Sequence, residues 1–152
     1  MQLSAPTVLG KTILLVSFLL AMSFTVAAED EPEAFLISIN SDEGQIQGMA
    51  ISLATTLARK DKEVRILLCG EAGELALEQN IPPSLRPRDI SPKEMMLEAM
   101  TLGATVQVCE LFLPNSGYRQ YQESDLVSEI EQANAEEIAD FMLRPNVRTF
   151  SY

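Results

Sequence analysis

Gly103-Ala104-Thr105-Val106-Gln107-Val108-Cys109-Glu110-Leu111-Phe112-Leu113-Pro114-Asn115-Ser116-Gly117 is the stretch from which the fold is read. Gly103 can close a helix, because a residue without a Cβ adopts the left-handed helix-end conformation at little cost. Thr105 to Cys109 is rich in β-branched side chains and reads as a short buried strand. Pro114, Asn115 and Gly117 then mark a turn. Helix, strand and turn in this order make one step of an alternating chain. The strand ends on a thiol, and open α/β sheets place their working groups at the carboxyl ends of strands.

Upstream, Ser91-Pro92-Lys93-Glu94 is a helix start, with serine as cap, proline in the first helical position and glutamate at the third. Met95, Met96, Ala99, Met100 and Leu102 are its expected buried face. Methionines can hold a soft metal, but Met95 and Met100 are poorly spaced for one ligand face, and adaptable core packing accounts for them better. Before this helix lies a loop, Ile81 to Asp89, whose three prolines exclude a regular element. Arg86 and Arg88 in it are either solvated loop charges or contacts for an anionic substrate or acidic partner.

Further upstream, Val64 to Cys69 reads as a strand ended by Gly70, with a short helix over Glu71–Gln79. Ala34 to Asn40 is a nearly continuous apolar run, as in a central strand covered on both faces. A helix follows over about Gln45–Lys60, with Ile46, Met49, Ala50, Leu53 and Leu57 as its core stripe. Downstream of the turn, Leu126–Ile130 reads as a fourth strand, with a helix from Ser124 as the competing reading. Asn134-Ala135-Glu136-Glu137 is a second capping box, opening a helix through Leu143 with Ile138, Phe141 and Met142 buried. Val147–Tyr152 ends the chain as a strand. The order is β-α-β-α-α-β-β-α-β, which predicts an α/β fold: a mostly parallel five-stranded sheet with helices on both faces.

At the amino terminus, Lys11 precedes the apolar run Thr12–Met22, then Thr25-Val26-Ala27-Ala28 and the acidic Glu29-Asp30-Glu31. This is the pattern of a secretory signal peptide over residues 1–28, cut after Ala28, leaving one domain over residues 29–152. A retained membrane anchor is the alternative. Cleavage implies a periplasmic or secreted protein with no membrane contact. The net charge is −11, and removing residues 1–28 takes away Lys11 and no acid, giving −12. That acidity argues against nucleic acid as a partner. The chain has no histidine. Ser-His-Asp and Cys-His catalysis and histidine metal sites within the chain are thereby excluded, and two cysteines alone make no zinc site. Without a P-loop or a GxGxxG, no cofactor and no metal is expected.

Both cysteines, Cys69 and Cys109, fall at carboxyl ends of predicted parallel strands and so at one sheet edge. Three readings remain open. They form a structural disulfide; or Cys69 is a buried inert residue and Cys109 alone is exposed; or they are a reversible pair, one thiol attacking and the other resolving. The adjacent Glu110 disfavours a thiolate, and a helical turn begun at Pro114 favours one.

The segment Gly103 to Gly117 resembles the cysteine segment of the DsrE/DsrF/TusD-like sulfur-relay family, in which a helix ends on glycine, a short strand leads to a cysteine and a small loop ends on glycine. The similarity extends over Phe35–Lys60 and Asn134–Tyr152. It implies a three-layer α/β/α sandwich assembled as a homo-oligomer, often a trimer or hexamer. It also implies that Cys109 carries a persulfide between a sulfur donor and an acceptor thiol, as a sulfurtransferase-like carrier. Relay members can have arginines shortly after the cysteine, and here Leu113-Pro114-Asn115-Ser116 stand there instead. The other readings are a non-catalytic binding or assembly module and a thiol redox protein with Cys69 as resolver.

Overall fold

The computed structural model describes residues 1–2 and 34–152. The apolar amino-terminal run, the cut after Ala28 and the acidic leader lie outside them. Five strands are present: β1 (Ala34–Ile39), β2 (Glu63–Leu68), β3 (Thr105–Cys109), β4 (Glu131–Ala133) and β5 (Val147–Ser151). They form one sheet in the order β4-β3-β2-β1-β5, and every neighbouring pair is parallel. Parallel neighbours need crossover connections. Helices α1 (Gly44–Ala58), α2 (Pro92–Thr101) and α3 (Ala135–Met142) supply three of the four. No helix among the described residues is long and apolar enough to cross a membrane.

Strand alternation sorts the side chains into two layers. Ile37, Ile39, Val64, Ile66, Leu68, Val106 and Val108 share one core with Ala50, Ile51 and Ala54 of α1 and Met96 and Ala99 of α2. Ala34, Leu36, Leu67 and Ala133 point the other way and meet Phe141 of α3. That second layer is small, because its strand positions also include Arg65 and Gln107. The α/β fold read from the sequence is therefore present, with α1 and α2 on one face and the short α3 on the other.

Four local expectations are corrected. Leu126–Ile130 is not a strand. Leu126 makes only an isolated antiparallel bridge to Leu77, and the Val127 N–H donates to the Ala76 carbonyl at 2.8 Å. Its apolar pattern records burial of Leu126 and Ile130, while the ladder partner of β3 is the polar Glu131–Ala133. The segment after β2 is a 3₁₀ turn over Gly70–Ala76 rather than an α-helix over Glu71–Gln79. Of the stripe expected for α1, Ala50 is buried and Met49 is exposed; the buried residues are Gln47, Gly48, Ala50, Ile51, Ala54, Thr55 and Ala58. Small residues let the helix approach the sheet closely, so the larger Ile46, Leu53 and Leu57 flank the contact. For the same reason of face geometry, Leu102 and Met142 are exposed at helix ends rather than buried.

Candidate functional site

The register that pairs Leu68 with Val108 brings the following residues, Cys69 and Cys109, side by side at the carboxyl edge. Both lie on the face that carries α3. Their Cα atoms are 5.1 Å apart, inside the range a disulfide spans, and their sulfurs are bonded. Each cysteine is half-buried. The structure therefore brings the two predicted site residues together.

Their positions are set by the sheet and by sharp exits from it. The Cys69 N–H donates to the Ile39 carbonyl at 2.9 Å, which prolongs the ladder by one residue. Gly70 follows at φ +54°, a left-handed conformation that turns the chain at once into the 3₁₀ turn. On the other strand, the Glu110 N–H donates to Ala133 at 3.0 Å, and the Phe112 N–H donates to the Cys109 carbonyl at 2.9 Å. The exits of the two strands then clasp each other. The Phe112 ring covers Gly73, where an added Cβ would stand inside the ring's contact distance. Phe112 also stacks on Tyr121 with centroids 6.1 Å apart. Arg119, farther along that loop, is ion-paired with Glu74 of the 3₁₀ turn. The turn expected at Pro114 is a single 3₁₀ turn over Leu113–Asn115.

A cavity of about 300 Å³ opens beside this edge. Leu67, Cys109, Leu111, Ala133, Ile138 and Met142 are among its lining residues, and Cys69 is not. The lining is mainly apolar, and Glu110 is the one carboxylate in it.

The floor of the same face holds a polar group that sequence reasoning missed. Glu137 Oε1 accepts from Arg65 Nη1 at 3.0 Å and from Gln107 Nε2 at 2.7 Å. Arg65 also lies over the Phe141 ring, 4.4 Å from its centroid. The signal available in the sequence was Gln107 itself, an inward polar residue between Val106 and Val108. Among the described residues, no cluster of three or more Cys, Asp or Glu side chains could hold a metal ion. Met95 and Met96 are buried in the core.

Arg86 and Arg88 sit away from the cysteines, exposed at the rim of a separate cavity, and Arg88 pairs with Glu98 at 3.1 Å. No protein-family model and no curated protein matches this chain.

Proposed function

We propose that this chain is a DsrE-like thiol protein that takes up sulfane sulfur on Cys109, with Cys69 as the resolving thiol. What supports uptake on Cys109 is a cavity lined by Cys109 and not by Cys69; the 5.1 Å between their Cα atoms supports the pairing of the two thiols, not the sulfur uptake. In the reduced protein, the Cys109 thiolate attacks the outer sulfur of a persulfide donor, R–S–SH. The donor S–S bond breaks, R–S⁻ leaves, and Cys109 holds a persulfide. An acceptor thiol then removes that sulfur. If none arrives, the Cys69 thiolate attacks the inner sulfur of Cys109, closes the bridge and expels hydrosulfide. In that branch the dithiol is oxidised by two electrons and the sulfane sulfur is reduced to sulfide. An external thiol reopens the bridge by exchange.

The reading goes with export, since a disulfide persists in an oxidising compartment. It also goes with assembly into a trimer or hexamer, and a monomer in sedimentation at working concentration removes that part.

The test is mass spectrometry of reduced protein after polysulfide treatment. Cys69→Ser is expected to retain an adduct of about 32 Da, one sulfur atom, on Cys109. The unsubstituted protein is expected to release sulfide and close the bridge, and Cys109→Ser to do neither. No adduct on the Cys69→Ser protein overturns the proposal.

One observation favours a second reading. The same bridge joins two neighbouring strands, as a purely structural link in a binding or assembly module would. A native bridge that resists mild reductant, and opens only on unfolding, decides for that module.

A further inference from the structure

A larger cavity, of about 490 Å³, lies between α1 and the loop that leads into α2. It belongs to the face opposite the cysteines. The loop is a built feature. The Leu85 N–H donates to the Ile90 carbonyl at 2.8 Å, and the two residues form an antiparallel bridge that holds Arg86–Asp89 as a tip. Leu85 is seated on α1 at Gly48, where an added Cβ would come within 2.6 Å of Leu85 Cδ1.

The cavity combines an apolar floor with a positive rim. Met49, Leu85, Ile90 and Met95 supply the floor, and Arg86 and Arg88 line the loop side. Arg88 is shared with Glu98, whereas Arg86 has no ion pair among the described residues. Arg148 likewise has no ion pair among the described residues, but of the two only Arg86 lines this cavity. The first turn of α1 carries no acidic side chain, although Glu43 is its N-cap residue, and Gln45 of that turn lines the cavity. Asp42 and Glu43 precede the helix but do not line the cavity.

We infer that this cavity binds an amphipathic organic anion, a carboxylate on a short apolar tail. Arg86 takes the carboxylate in a charge-assisted pair, and Met49, Leu85 and Ile90 take the tail. The probe is octanoate, titrated into the full chain and followed by NMR, with 1-octanol and sulfate as comparison ligands. Octanoate is expected to bind with a Kd of about 1 mM or tighter, and each comparison ligand roughly tenfold more weakly. Arg86→Gln, a change at an exposed loop position, is expected to weaken octanoate about fivefold or more and leave 1-octanol unchanged. Octanol binding as tightly as octanoate removes the role of charge. Sulfate binding as tightly removes the role of the floor. Either result, an Arg86→Gln protein with unchanged octanoate affinity, or no saturation by about 10 mM, overturns the inference.

Discussion

Glu137 illustrates how one side chain can do different work from what its position suggests. It stands three residues after Asn134, where a capping box is expected, and half of the box is there: Asn134 Oδ1 accepts from the Glu137 N–H at 2.9 Å. The carboxylate, however, turns to Arg65 and Gln107 under the helix. Those partners come from β2 and β3, far away in the chain, so no local pattern announces them. Glu137→Ala leaves a largely buried guanidinium and a buried amide without their acceptor. It is expected to lower stability by about 1–3 kcal/mol, read from urea unfolding. A change within about 0.5 kcal/mol would mean that water replaces the carboxylate at no cost. Gly73 makes a second case. A methyl there meets the Phe112 ring, which is itself stacked on Tyr121. Gly73→Ala is expected to cost about 1–3 kcal/mol and to speed exchange of amide protons in the loop after Cys109. Unaltered exchange in that loop would separate the two cysteine exits.

At the scale of elements, α2 behaves as its sequence requires. Ser91 Oγ accepts from the Glu94 N–H at 3.2 Å, and Glu94 Oε2 accepts from the Ser91 N–H at 2.7 Å. Ser91→Ala is expected to lower stability by about 1 kcal/mol at neutral pH in thermal or urea unfolding. The backbone hydrogen bond from Ser91, joined by its hydroxyl, holds the Glu94 carboxyl below the ordinary carboxylate range. Glu63 is lowered too, first by its hydrogen bonds to Arg144, with burial opposing. Carboxyls with depressed folded pKa values bind fewer protons folded than unfolded. Their contribution is full above the unfolded value of about 4.3 and fades as pH falls through the folded one. The urea midpoint is therefore expected to fall between about pH 5 and pH 3. A Glu63→Gln Glu94→Gln protein should show a flatter acid limb, and an unchanged slope would assign acid sensitivity to other groups. The helix α1 was less legible. Its apolar residues occupy most of its circumference, so periodicity named Ala50 correctly but joined it to the bulky Ile46, Met49, Leu53 and Leu57, whereas the sheet contact continues through Ala54 and Ala58.

For the whole molecule, the disulfide closes a loop with a sequence separation of 40. Loop-closure entropy for that length is about 3–4 kcal/mol at 25 °C. The Cys69→Ser Cys109→Ser protein is expected to keep its far-ultraviolet circular dichroism and lose about 2–4 kcal/mol. It should stay folded because the core under α1 and α2 does not include the bridge. Loss of the folded spectrum would make the bridge a condition of folding. The two sheet edges differ as well. β4 is three residues long, and β5 pairs with β1 along its length, with the Asn40 N–H donating to the Tyr152 carbonyl at 2.8 Å beyond it.

The sequence by itself determined the alternation of strands and helices, the capped start of α2 and the strand ending on Cys109. Each depends on neighbours a few residues apart, through backbone conformation, capping hydrogen bonds and side-chain period. Strand order, the displacement of β4 to Glu131–Ala133, the joining of Cys69 to Cys109 and the convergence of Arg65, Gln107 and Glu137 were decided only in three dimensions. They bring together residues from separate strands and helices, and chain-distant contacts leave no period along the sequence that encodes them.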